Sequence, residues 1–173
     1  MTENDRDVMK PGAYLVGVNL SEANLMGSDL TKANLARANL KKANLRGANL
    51  TGASLFKANL REALIDTAIL ERADLRQADL QGASIVNANL YGASLDGACL
   101  NGAGLNGACL KKAYLRGTCF QQANLTGAIF RGAICDEQTK WPAWLGDMEG
   151  VIYVGEARIE EVCQYCRRGQ QRN

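Results

Sequence analysis

Large apolar side chains recur along this chain with a period of five. Every multiple of five from Leu15 to Leu60 is leucine, and from Ile65 to Phe130 the same position holds only Leu, Ile or Phe. Two residues earlier stands alanine, broken only by Val18, Ser28 and Thr118 between Ala13 and Ala133. That period matches neither the 3.6 of a helix nor the 2 of a continuous strand. On a helix the leucines would spread around the whole cylinder, and no single face could bury them. Ala and Leu stand two apart, so in an extended segment they point the same way. The three remaining residues must turn the chain before the pattern restarts. The pattern predicts short strands joined by corners, wound into a solenoid in which each turn buries its leucines against the next.

The repeated phrase reads A-N-L-x-x, as in Ala33-Asn34-Leu35 and Ala43-Asn44-Leu45. In this the chain resembles the pentapeptide-repeat proteins, in unbroken register from Ala13 to Cys135. The resemblance implies an all-β fold: a right-handed quadrilateral parallel β-helix with four pentapeptides per coil. The square section and the handedness come from the resemblance; the period alone requires only a solenoid. On that footing residues 1–12 are a lead-in or cap, residues 13–135 a β-helix of about six coils, and residues 136–173 a C-terminal cap.

Four leucines converging on one axis leave no room for four more large side chains, so alanine at the second inward position is a packing requirement. Each buried leucine contributes roughly 1.5–3 kcal/mol. The Asn or Asp before the leucine, as at Asn19, Asn24, Asp29 and Asn89, can bond backbone groups at the corner. Glycine recurs at the last position of the phrase (Gly47, Gly52, Gly92, Gly97, Gly102, Gly107), where positive φ is tolerated. Because Arg37, Lys42, Lys57 and Gln77 hold the same position, mixed turn types are expected.

Past Cys135 the frame stops. Thr139-Lys140-Trp141-Pro142 resembles the tail that follows the last coil in this family, and both tryptophans, Trp141 and Trp144, fall here. Their large area suits a plug over the open shaft, whose unpaired edge needs a cap. Val151 to Val154 reads as a short strand. A helix is expected near 155–168, with Ile159, Val162, Cys163 and Cys166 as one apolar stripe and Gly169 as its C-cap.

The 173 residues are 47% apolar with a formal net charge of +2. That is enough for one core, and too balanced to indicate a nucleic-acid binder or a strongly acidic mimic. There is no histidine, which removes the commonest general base, the usual metal ligand and every Ser-His or Cys-His pair. Met1 to Lys10 has no apolar run, so no secretory signal is expected. No stretch reaches the roughly 18 apolar residues of a membrane span. The expected location is cytoplasmic, with no membrane partner. In that reduced setting Cys99, Cys109 and Cys119 are expected as free thiols filling small apolar sites. At twenty residues per coil, Cys99 and Cys119 stack about 4.8 Å apart, within Cα range of a disulfide, while Cys109 falls on the opposite face.

Chemistry has few footholds. Cys163-Gln164-Tyr165-Cys166 is a C-x-x-C. A zinc site would want two further ligands, with Cys135 the nearest candidate, and a thioredoxin-like role would want the motif to open a helix beside a βαβ unit. Packing is the leading reading, with redox sensitivity and metal binding as the others. Glu22, Lys42 and Glu62 stack with alternating sign as a surface ladder. A filled prism has no pocket in which a carboxylate pair could be tuned for acid–base work. No glycine-rich phosphate loop precedes a helix. The chain is therefore expected not to be an enzyme, with no catalytic, cofactor-binding or metal-binding residues and no cofactor.

What remains is surface. Arg37 and Lys57 are predicted to share one corner, and Lys41 and Arg61 the face beyond it. Together they are expected to form a compact basic edge that docks an acidic protein partner of unspecified identity. The stretch Gln81 to Leu110, whose only charge is Asp96, is the second candidate face. The leading functional reading is a non-enzymatic scaffolding or regulatory element. The resemblance implies an alternative, a DNA mimic acting on a type II topoisomerase, which the rod shape fits and the positive net charge opposes. A third reading, nucleic-acid binding through Lys32 to Arg61, lacks the exposed aromatics that would stack bases. End-to-end self-association through a coil end is also expected.

Overall fold

The computed structural model describes residues 9–143, 153–154 and 157–158. Parallel bridges join residues twenty apart in four ladders, so each coil has four sides. The first face is built on Tyr14, Asn34, Ser54, Asp74, Ser94, Tyr114 and Ile134; the second on Asn19, Asn39, Asn59, Asp79, Cys99 and Cys119. The third carries Asn24, Asn44, Leu64, Ser84, Gly104 and Asn124; the fourth Asp29, Asn49, Ile69, Asn89, Cys109 and Ile129. On each rung the residue before the leucine sends both backbone groups to the preceding coil. Asn34 N–H donates to Ala13 O (2.8 Å), and Asn34 O accepts from Leu15 N–H (2.7 Å).

The corners correct two expectations. Two residues turn the chain rather than three, and the turns are uniform rather than mixed. Each is closed by a bond such as Ala38 N–H to Leu35 O (3.0 Å), and φ is positive at the last position of every phrase from Gly12 to Gly132. A positive φ at the third residue alone is the type II turn. Arg37 (φ 59), Lys42 (φ 58), Lys57 (φ 57) and Gln77 (φ 57) adopt it just as the glycines do. Each such side chain costs about 1 kcal/mol, and the bond from its own N–H to the next coil holds it there, as Arg37 N–H to Phe56 O (2.8 Å). The Asn expectation holds: Asn34 Oδ1 accepts from Ala36 N–H (3.2 Å) and Asn49 Oδ1 from Thr51 N–H (3.1 Å). Asparagines also bond up the second face, Asn39 Nδ2 to Asn19 Oδ1 (2.9 Å) and Asn59 Nδ2 to Asn39 Oδ1 (3.1 Å).

The inward alanines and leucines form one continuous core, fully buried through the middle coils. At its C-terminal end the residues grow larger. Phe120 and Phe130 meet edge to face at 6.1 Å, and Trp141 stacks on Phe120 at 5.1 Å and 8°. Trp141 is thus the plug. It arrives by a slip: Cys119 bridges Lys140, twenty-one residues on, so one extra residue enters the last corner. The ladder therefore continues past the end of the frame at Cys135, with Thr139 in the alanine position. Both buried threonines are satisfied, Thr118 Oγ1 donating to Leu95 O and Thr139 Oγ1 to Leu115 O, each at 2.8 Å. Asp136 braces the corner by accepting from Gly117 N–H (2.9 Å) and Gln138 N–H (3.1 Å).

Beyond the plug, β1 (Tyr153–Val154) pairs antiparallel with β2 (Ala157–Arg158). The short strand expected over Val151 to Val154 is present at its end, but the helix expected near 155–168 is not what Ala157 and Arg158 form. Val154 pairs with Ala157 and Tyr153 with Arg158, so these residues spend their backbone groups on a ladder rather than on helical bonds. Trp144, Cys163, Cys166 and the rest of the expected helix lie outside the described residues.

Candidate interaction surface

The expected basic edge does not assemble as one. Arg37 and Lys57 sit on the corner between first and second faces, whereas Lys41 and Arg61 lie on the next corner, in the same turns as Lys42 and Glu62. The four bracket the second face from both sides. Most of their charge is also answered locally. Glu62 takes both Lys41 (3.9 Å) and Lys42 (3.7 Å), and Arg61 Nη1 meets Asp79 Oδ2 at 3.2 Å. Lys57 Nζ rests over the Phe56 ring at 5.2 Å, with Arg76 at 5.6 Å from the same ring. Of the four, Arg37 alone has neither an ion pair nor a ring contact among the described residues. The ladder Glu22–Lys42–Glu62 closes only at its upper step.

The corner between fourth and first faces differs. Lys111 and Arg131 occupy the same turn position on successive coils, with Lys112 beside them and Arg72 two coils below. Among the described residues none of these four has a carboxylate within 4.0 Å. The one nearby acid, Glu71, accepts from Asn89 Nδ2 at 2.6 Å. Tyr91 lies in the same column, with Lys112 Nζ 5.6 Å from its ring. On the first face, just past the corner, Tyr114 and Ile134 are 41% and 38% exposed. A cationic ridge thus borders an apolar strip. Sequence reasoning missed it, although the twenty-residue spacing of Lys111 and Arg131 was the available signal.

Elsewhere charges are consumed in bracing the coils. Asp66 is pushed up by burial, but this is outweighed by bonds from Ser84 Oγ, Arg46 Nε (2.9 Å) and Val86 N–H (3.1 Å), so its carboxyl titrates below the usual range. The bidentate bond from Arg76 (2.8 Å twice) likewise lowers Asp74. The neutral stretch Gln81 to Leu110 includes Gly104 on the third face, with Asp96 turned toward Arg116 N–H (2.9 Å).

Cys99 and Cys119 are bridge partners on the second face and Cys109 lies on the opposite one; all three are free and half-buried. Cys135 is buried at the last inward position and engaged in a disulfide. Among the described residues no cluster of three or more His, Cys, Asp or Glu could hold a metal, and no helix is long and apolar enough to cross a membrane.

A four-sided ladder wound at five residues per side defines a pentapeptide-repeat β-helix. The chain belongs to that family: the model for pentapeptide repeats matches eight copies over residues 12–41, 33–72, 68–107 and 108–137. Among solved structures it is similar to HetL, a pentapeptide repeat protein involved in heterocyst differentiation regulation from Nostoc sp. strain PCC 7120. The two are 36% identical over 76% of this chain and 65% of HetL, with a TM-score of 0.45. The chain thus spans a little under two thirds of HetL's length. Rfr23 from Cyanothece 51142 is 31% identical over 80% of this chain and 93% of its own, with a TM-score of 0.32. QnrB1, a plasmid-mediated fluoroquinolone resistance protein, shares 16% identity over 76% of this chain and 78% of its own, with a TM-score of 0.53, a likeness of fold. No curated protein matches the chain.

Proposed function

We propose that this chain is a non-enzymatic interaction element that docks an acidic protein surface along the corner between its fourth and first faces. The observation that carries this is the ridge of Lys111, Lys112 and Arg131, whose charges have no carboxylate within 4.0 Å among the described residues, beside the exposed Tyr114 and Ile134. Elsewhere Lys41, Lys42, Arg46, Arg61, Arg76 and Arg116 each have a carboxylate within 4.0 Å; leaving like charges stacked on successive coils costs repulsion that a docked acidic partner would relieve. Tyr and Arg together are the residue types that anchor interfaces. The corner of Arg37 and Lys57 is a secondary contact on this reading, and Lys41 and Arg61 belong to the fold's own ion pairs.

The DNA-mimic alternative keeps the four-sided rod and lacks the dense negative potential that would imitate phosphates. The test is a quantitative pull-down from the host. Bait variants reverse Lys111, Lys112 and Arg131 to Glu, or reverse Arg37, Lys41, Lys57 and Arg61 to Glu. The first set should lose the partner that the native bait retains, the second should keep most of it, and retention should fall with salt. Equal retention by all three baits would overturn the reading, and inhibition of topoisomerase supercoiling by the purified chain would favour the mimic instead.

A further inference from the structure

The two ends of the coil are finished differently. Trp141 closes the C-terminal end, but at the N-terminal end Leu20 is only half-buried, and Tyr14, Met26 and Val16 are 80%, 63% and 37% exposed. From Asn34 on, the residue before the leucine directs both backbone groups to the coil before it. At Tyr14, Asn19, Asn24 and Asp29 those N–H and C=O groups bond nothing among the described residues. The repeat orients Asn19 Nδ2 off the same rim, since Asn39 Nδ2 already donates to Asn19 Oδ1. Upstream the frame holds Lys10 and Asp5 in the leucine position and Glu3 in the alanine position, with Met9 packed half-buried against the core. From Tyr14 to Ser28 the single charge is Glu22, where edge strands are normally blunted by lysines, prolines or inward charges.

We infer that this rim is an interface for a second copy of the chain, joined head to head about a two-fold axis. A residue with donor and acceptor on one side is self-complementary in an antiparallel pair, where two residues exchange both bonds. An axis crossing the corner at Val16 and Gly17 sets Tyr14 of one copy against Asn19 of the second, and the reverse. The rim climbs one strand spacing, about 4.8 Å, per coil, and an axis at this corner keeps the two spirals equidistant across both faces. Val16 then lies opposite Gly17 of the second copy, close enough to the axis to reach its own symmetry mate, and Glu22 is not set against Glu22. The rim continues the β-ladder and the asparagine ladder into the second copy, a match that an unrelated apolar surface would lack.

Sedimentation equilibrium of the full chain, with Asn19→Pro, the double change Tyr14→Lys with Val16→Lys, and Val16→Cys, tests this. The native chain should be a concentration-dependent dimer. Asn19→Pro removes only a free N–H, and the double change puts charge on the edge; both should sediment as monomers with unchanged circular dichroism. Val16→Cys should give a covalent dimer on mild oxidation that the native chain does not. A native monomer across the whole concentration range would overturn the inference. So would a dimer that survives both edge variants, or a Val16→Cys chain that dimerises without cross-linking.

Discussion

The basic residues that bracket the second face and those at the corner between the fourth and first faces behave as opposites. Around the second face, Lys41 and Arg61 are answered by Glu62 and Asp79, and Lys57 lies on the Phe56 ring. Between the fourth and first faces, Arg72, Lys111, Lys112 and Arg131 have no carboxylate within 4.0 Å among the described residues. A coil of this kind turns sequence separations near twenty into neighbours, so the charge of a stretch says little until its columns are read. The lesson is that a dense basic run can be internally spent, while a few residues twenty or forty apart form the ridge with free charge.

The comparison can be broken outright by removing the frame that aligns the columns. Leu60 is 1% exposed, and Leu60→Lys would bury a charge with no partner or water, so it should abolish cooperative thermal unfolding. Lys57→Glu, outward on the preceding corner, should cost less than about 1 kcal/mol. Equal melting temperatures would refute the inward and outward assignment on which both corners rest.

Next in size is the plug beside the free ridge. Trp141 stacks on Phe120 and meets Phe130 at 5.4 Å, so Trp141→Ala should cost about 2–4 kcal/mol in denaturant titration. Hydrogen exchange should then rise at the coil of Lys111 and Arg131 before it rises near Lys41. Uniform protection loss would mean that the end coils are not a separate unit.

The carboxylates that brace the coils give a pH signature. Asp66 and Asp74 titrate below their ordinary value in the folded chain, Asp66 because bonds from Ser84 and Arg46 outweigh its burial, Asp74 through Arg76. Their stabilisation is fully present above the unfolded carboxylate range and is lost as pH falls through the depressed folded values. Asp66→Asn should flatten the acid limb of a stability-versus-pH curve; an unchanged limb would remove Asp66 from the account. The smallest effect sharpens the contrast itself. Glu62 and both its lysines are about half exposed, so Glu62→Gln should change stability by no more than about 0.5 kcal/mol while making the second-face corner bind acidic ligands more tightly.

Much of the fold was legible because the inward positions tolerate so little: a filled shaft admits Ala and Leu every five residues and almost nothing else. The corners were not legible in the same way. Lys57 and Gln77 accept the left-handed conformation at a modest local cost, so residue identity does not report the turn. The plug was half hidden because one inserted residue moves Trp141 one place past the multiple of five, where Lys140 stands instead. The candidate surface was least legible. Arg61 finds Asp79 diagonally, eighteen residues on, and Lys41 shares Glu62 with Lys42, pairings that column counting does not reveal. Lys111 and Arg131 stand twenty residues apart in sequence, and only the coil brings them together.

The central claim is that free positive potential lies at the corner between fourth and first faces. Titrating the isotope-labelled full chain with a short polyglutamate peptide, followed by amide chemical shifts at low salt, measures it directly. The account predicts that the largest shifts fall on Tyr91, Lys111, Lys112, Tyr114 and Arg131, with Arg37, Lys41, Lys57 and Arg61 moving little. Equal movement at both corners, or a maximum at Lys41 and Arg61, would contradict it.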